Sequence, residues 1–361
     1  MLGCNPTDKK VITASTPSLR YAKGFTVSTV GSARLVEVLY PYQGAKEGFK
    51  YLLVERGQKV PAHDADTKVI QVPIASIVCT STTHIPLLDY LEESEKLVGF
   101  PTLDYISSEK TRKLIDVGAV EELGVDQGMN IEKIAVLKPD LVMGYTMTAE
   151  YGQYRKMEDL GVPVVINAEY LEEHPLGRAE WIKFMALFFH KEDEAEKVFK
   201  MIEENYLSTK ALADQTTEKP TVLSGVVYGD TWFLPGGKNY AAKLFSDAGC
   251  QYLWNDDSSN GFLQLSFESV YEKAHHADLW IGVASFNTLE ELSNADQRYT
   301  KFSPYINHKV YTYNARKGAK GGSEFLELGY LRPDMILKDL VKISHPELLP
   351  EYSLYFHKEL Q

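Results

Sequence analysis

GMNIEKIAVLKPDLVMGY, residues 128–145, decides how the chain is read. Asn130, a residue type that caps helices, is followed by an apolar residue and Glu132. Helical spacing then runs to Pro139 and Asp140, and an apolar strand ends in Gly144. The same order returns in LSFESVYEKAHHADLWIGV, residues 265–283: Ser266, an apolar residue, Glu268, a helical run, Asp278 and an apolar strand reaching Gly282. The second copy is two residues longer between glutamate and aspartate, so this is a diverged repeat and predicts two similar halves. A first-turn carboxylate is favoured by the helix dipole, by about 0.3 to 1 kcal/mol, so either glutamate alone needs no function. Recurrence in the same register, 136 residues apart, singles out the pair.

Working outward, 361 residues exceed one ordinary domain, and the 44% apolar and 24% charged composition is that of an ordinary globular protein. The chain has no run of 18 apolar residues, which argues against a membrane-spanning helix. A net charge of −12 without a basic stripe argues against a nucleic-acid partner.

Three cysteines fit no zinc spacing. Cys79 ends the apolar run IASIVC and Cys250 follows Ala248 and Gly249, so both read as small buried hydrophobes. Cys4 differs, because MLGCN resembles the close of a bacterial lipoprotein signal, in which a leucine and a small residue precede a lipidated cysteine. The expectation is a charged and apolar leader before Leu2, lipidation of Cys4, and a polar tether, within a first segment 1–20.

Residues 21–73 hold short β-rich runs expected to form an antiparallel extension. From residue 74 to 175 apolar strands alternate with helical stretches, as in a mostly parallel sheet flanked by helices. Residues 176–215 are helical, and Glu192 to Asp214 reads as one helix of roughly 35 Å, with Ala195, Val198, Phe199, Ile202, Tyr206 and Leu212 near one face. After Lys219 and Pro220 the alternation restarts and occupies 216–361.

Ligands of open α/β sheets sit beyond the carboxyl ends of the strands. The expected cleft residues are therefore Thr82, Thr83 and His84 with Thr80 and Ser81 before them; Tyr145 and Thr146; Tyr228 and Trp232; Phe286; and Arg316. Tyr228, Trp232 and, beyond them, Tyr240 offer flat faces with polar edges suited to a large conjugated ligand, or else simply fill the core. KGAKGGSEF, residues 317–325, lacks the phosphate-loop pattern and reads either as a basic loop beside the cleft or as a solvated surface loop. The adjacent His275 and His276 diverge on a helix and are poorly placed for one metal. HExxH and GxSxG are absent, so no catalytic set and no metal centre is expected.

The repeated units, the intervening LGVPVV, the long helix, and WFLPGGKNYAAKLFSDAG with the terminal LRPDMILKDLVKISHPELLP together resemble the substrate-binding proteins of ABC importers for iron-siderophore complexes and cobalamin. The similarity runs from Ile74 to Leu349 and leaves residues 21–73 outside. It implies two doubly wound α/β lobes with mostly parallel sheets, joined by a single long helix, and a ligand held between them without a covalent cofactor. In that family the glutamate of each unit pairs with arginines of the permease dimer; these positions are Glu132 and Glu268 here. The expected protein is a monomeric, lipid-anchored carrier of the cell envelope or periplasm for a ferric siderophore or corrinoid. Two alternatives stay open. One is a receptor for haem, with Tyr145, Tyr228 or His84 on the iron, or for a bare Zn or Mn ion; the other is a cofactor-binding enzyme on the same fold.

Overall fold

The computed structural model describes residues 18–126, 128–149 and 151–361, so Cys4 and most of the expected tether lie outside the described residues. Both repeat units fold alike. The Asn130 side chain accepts the N–H of Lys133 at 2.8 Å and starts helix Ile131–Leu137. Ser266 Oγ accepts the N–H of Ser269 at 3.2 Å and starts helix Phe267–Ala274.

The repeated aspartates also share a task. Asp140 accepts the N–H of Ala75 at 2.6 Å and donates its own N–H to Ser76 Oγ at 3.0 Å. Asp278 accepts the N–H of Thr221 at 2.8 Å and donates to Thr221 Oγ1 at 2.9 Å. Each aspartate thereby ties the buried strand that follows it to the start of a neighbouring one.

The strands so joined seed two five-stranded sheets. The first runs in the order Val164–Ile166, Leu141–Gly144, Ile77–Cys79, Leu97–Phe100, Glu121–Glu122, all parallel. The second runs Gln251–Tyr252, Thr221–Ser224, Leu279–Ile281, Val310–Thr312, Lys358–Glu359, parallel except for the last. Ile77 and Cys79 pack into one hydrophobic cluster and Val78 into another, so the first sheet is covered on both faces, which is why its strands read as unbroken apolar runs.

Ahead of the lobes, strands Phe25–Val30, Ala33–Val38 and Phe49–Glu55 form the expected antiparallel sheet, but Lys68–Val72 joins Phe49–Glu55 in parallel. The segment between the last two strands is long enough to return the chain to the same end, so the meander expected from the sequence is broken at its last strand. The entry to this sheet is clamped by two glutamates. Buried Glu180 accepts the N–H groups of Arg20, Tyr21 and Ala22, and Glu172 accepts those of Lys23 and Gly24. Lys183, 3.0 Å from Glu180, balances the charge and donates to the Ser18 carbonyl. Residues 18–20, expected as tether, are thus part of the fold.

Helix Glu192–Ala213 carries acids at 192, 193 and 194 in its first turn and Lys210 in its last, the arrangement the dipole favours. Ala195, Phe199, Ile202 and Tyr206 are buried as the periodicity predicts, Val198 is half-buried, and Leu212 is exposed. The segment before it divides into helices Pro175–Glu180 and Ile182–Ala186, whose Trp181 and Phe184 pack on Phe25 of the extension.

Candidate functional site

Large aromatic side chains of the protein occupy part of the space at the strand ends where a ligand was expected. In the first lobe Tyr154 occupies the ends of the strands carrying Thr80 and Tyr145. Its hydroxyl lies 3.1 Å from Thr80 Oγ1, accepts the Tyr145 N–H at 3.2 Å and donates to the Tyr145 carbonyl at 2.9 Å. Gly144 permits this, since a Cβ there would lie 2.6 Å from the Tyr154 ring. In the second lobe Trp232 is wholly buried, donates Nε1–H to the Ser224 carbonyl at 3.0 Å and stacks on Trp280 at 5.5 Å.

Several expected cleft residues are therefore corrected. Trp232 is core because successive strand residues face opposite ways: on strand Thr231–Pro235 the side chains of Trp232 and Leu234 point inward, while Phe233 points out beside Tyr228. Tyr228 is 82% exposed on that outer face. Tyr240 is buried, with the Arg178 guanidinium 3.9 Å from its ring centre. His84 is 0% exposed as the first residue of helix His84–Tyr90, and burial drops its imidazole to about 3, so the ring is neutral. Among the described residues neither of its nitrogens has a hydrogen-bond partner.

Others are committed elsewhere. Thr83 donates to the Glu169 carboxylate, and Thr82, half-buried, turns the chain into the helix through its carbonyl, which accepts from Ile85. Arg316 is paired with Glu324 at 2.9 Å and stacked on Tyr355. Phe286 is half-buried against the main core. Tyr145 donates to Asp126 at 2.7 Å and, with Thr146, borders a cavity of about 770 Å³ on the first lobe. The glycine loop does not stand free: Gly318 and Gly322 press on the backbone of Ser107 and Tyr105 across the lobes.

A second cavity, of about 740 Å³, lies where the extension, the segment before the central helix and the second lobe meet. Tyr21 and Lys23 reach it from the clamped entry, and Tyr40 and Tyr42 from the turn that follows strand Ala33–Val38. Facing them, Lys238 and Lys243 come from the PGGKNYAAK stretch. That stretch needs its glycines, because a Cβ on Gly236 would lie 2.2 Å from Ser259 Oγ and one on Gly237 2.3 Å from the Asp257 carbonyl. Asn260 donates to Glu173 at 3.2 Å across the cavity rim.

The charged groups of this cavity differ in how they are held. Glu172 is occupied by the Lys23 and Gly24 N–H groups and by Trp181 Nε1. Lys243 is held 2.6 Å from Asp247. Among the described residues Lys23 and Lys238 have no carboxylate within 4.0 Å. His174 Nδ1 accepts the Leu176 N–H, and burial, reinforced by repulsion from Lys243 and Lys23, pulls its pKa down. The lining thus combines tyrosine rings with lysines and glutamates of both signs. No group of three His, Cys, Asp or Glu side chains suited to a metal occurs among the described residues.

Sequence reasoning missed Tyr21, Lys23, Tyr40, Tyr42 and His174, since the extension carried no motif and a cavity formed by three separated segments leaves no local spacing to read. It did single out the sites of Glu132 and Glu268. Both are exposed in the first turn of equivalent helices, and Glu268 has Arg298 at 3.7 Å.

Comparison with known proteins places this architecture. An uncharacterized lipoprotein of Methanocaldococcus jannaschii is 27% identical over 375 residues, covering 97% of this chain and 86% of its own. A periplasmic binding protein of Veillonella parvula superposes with a TM-score of 0.59 at 17% identity, over 94% of this chain and 98% of that one. The periplasmic heme-binding protein of Vibrio cholerae gives 0.57 at 14% identity, covering 73% and 99%. The vitamin B12-binding protein of the same organism gives 0.54 at 15%, covering 75% and 96%. No helix among the described residues is long and apolar enough to cross a membrane. The model of the periplasmic binding protein family matches residues 77–316, and the chain belongs to that family.

Proposed function

We propose that this protein captures a metal chelate, a ferric siderophore or a corrinoid, outside the cytoplasm and delivers it to an ABC permease. The observation that carries this reading is the cavity of about 740 Å³, whose size and aromatic, polar lining suit a chelate better than a bare ion. Glu132 and Glu268, on equivalent helices of the two lobes, are the docking carboxylates that register the two permease subunits together. Cys4 is the lipid attachment point that keeps the carrier at the membrane surface, a reading supported by the lipoprotein name of the archaeal relative.

Haem is the second reading, favoured by the exposed hydroxyl-bearing ring of Tyr228, the most exposed of the three ligands expected from sequence. Mass spectrometry and an absorption spectrum of protein purified from its native host separate the cases. A stoichiometric ferric siderophore or corrinoid supports the first reading, and a Soret band supports the second. Turnover of a bound organic cofactor contradicts both.

A further inference from the structure

Residues 21–73 precede the part matched to the family, residues 77–316, and one of their lysines stands where strand alternation calls for an apolar residue. On strand Lys68–Val72, Ile70 and Val72 are buried in the main core, and half-buried Lys68 shares their face, paired in register with Tyr51. Its ammonium lies 5.1 Å from the centre of the Phe49 ring and 4.8 Å from that of Tyr151, a residue of the first lobe. It donates to the Tyr151 hydroxyl at 2.8 Å and to the Glu158 carboxylate, and the same hydroxyl donates to Glu158 at 3.0 Å. Tyr151 and Glu158 stand at opposite ends of helix Gly152–Asp159, and Tyr151, at its N-cap, gives the first turn no side-chain acceptor. The contacts then continue inward. Tyr151 packs on Tyr154 with ring centres 5.4 Å apart, and the Tyr154 hydroxyl holds both the N–H and the carbonyl of Tyr145. All three tyrosines line the cavity of about 770 Å³ on the first lobe.

We infer that Lys68 is a positioning residue: by tying Tyr151 and Glu158 to the N-terminal extension, it fixes the tyrosine wall of the first-lobe cavity and with it the space open to a ligand there. Calling that cavity ligand space rests on the carrier function proposed above; the tie itself does not. A lysine on a core-facing position is a poor choice for stability, because desolvating the ammonium offsets much of what its ion pair contributes, and an apolar side chain of similar length fills the same space without that penalty. What the apolar side chain cannot do is hold the Tyr151 hydroxyl and Glu158 in one arrangement. The contribution of Lys68 is therefore geometry rather than net stability.

The test measures amide hydrogen exchange and urea unfolding of the full chain for wild type, Lys68→Met, Tyr151→Phe and the double variant. Methionine keeps the apolar stem against Phe49 and Tyr51 and removes the charge. Two amides report on the wall: Tyr145, whose N–H is held by the Tyr154 hydroxyl, and Arg155, whose N–H is held by the Tyr151 carbonyl. Lys68→Met should speed exchange at both roughly tenfold or more, while strands Ala33–Val38 and Phe49–Glu55 keep their protection and the unfolding midpoint stays near wild type. Tyr151→Phe should do the same, and the double variant no more than either, since each removes the same tie. Unchanged exchange at Tyr145 and Arg155 in both single variants overturns the inference, and so do additive effects in the double variant. Faster exchange spread evenly over extension and lobe, or failure of Lys68→Met to fold, overturns it as well, because Lys68 would then hold the fold rather than the wall. No arm uses a cargo, so these outcomes are separate from the carrier reading, which the cargo of native-source protein decides.

Discussion

The Glu327 carboxylate of the second lobe accepts the backbone N–H of Ser107, on the first lobe, at 2.6 Å. Its other oxygen takes the N–H of Ser108, which caps helix Glu109–Asp116, at 2.8 Å. Beside it, Arg332 donates to the Tyr90 hydroxyl at 2.7 Å, and the glycine loop closes over Tyr105 and Ser107. The lobes are therefore latched along one edge by groups whose charge and shape can be altered singly.

Burial raises the Glu327 carboxyl to about 7, outweighing the backbone donors that act in the opposite sense. A folded-state value above the unfolded one means the contribution is fully present below about pH 4.3 and is lost as pH rises through about 7. Urea unfolding of wild type and Glu327→Gln between pH 4.5 and 7.5 checks this. The wild type should lose stability relative to the variant across that window, by on the order of 3 kcal/mol at most. A difference that is flat with pH would place the folded-state value at its ordinary position.

Gly322 fixes the loop side of the same latch. A Cβ there would lie 2.1 Å from the Tyr105 carbonyl, so Gly322→Ala must push the lobes apart or distort the loop. The expected cost is about 1 to 3 kcal/mol in thermal or urea unfolding. By contrast Gly321→Ala meets no atom but strains a backbone at φ +94°, so it should also destabilise without opening the latch, as small-angle scattering would report.

Trp232 and Tyr228 separate core from surface on one hairpin. Trp232→Ala removes a wholly buried ring stacked on Trp280 and should cost about 3 to 5 kcal/mol of stability. Tyr228→Ala, at an exposed position, should stay within about 0.5 kcal/mol. Paired urea titrations read both. Equal losses in the two variants would contradict the assignment of faces.

These residues also mark where the sequence was legible and where it was not. The repeat, with its caps, aspartates and apolar strands, is local information, and its two copies took the predicted form because each needs only a few neighbours. The central helix was readable for the same reason, since Ala195, Phe199, Ile202 and Tyr206 keep one period. Trp232 was misplaced because an aromatic residue after a strand carries no sign of which face of the next hairpin it will take. The general rule about strand ends put Tyr145 beside a cavity but failed for His84, which is buried at the start of its helix. The cavity was invisible because it joins residues from 21–44, 171–174 and 237–260.

The anchoring of the extension rests on the buried Glu180–Lys183 pair. Glu180→Ala would leave Lys183 with the half-exposed Glu196 as its one carboxylate partner among the described residues and strip three backbone N–H groups of their acceptor. A loss of about 3 to 5 kcal/mol is expected. Hydrogen exchange should show residues 20–22 deprotected first. Undiminished protection there would mean the clamp is not what holds this segment.

The most direct test of the account is uptake of the native cargo by membranes containing the cognate permease, supplied with wild type or with the Glu132→Lys, Glu268→Lys double variant. Both carboxylates are exposed, so ligand affinity and thermal stability should remain near wild type. If the two carboxylates dock on arginines of the permease, as proposed, two lysines turn attraction into repulsion at both lobes, so transport should fall below that of either single variant. Full uptake by the double variant would contradict docking through this pair and leave the two glutamates as helix-dipole residues only.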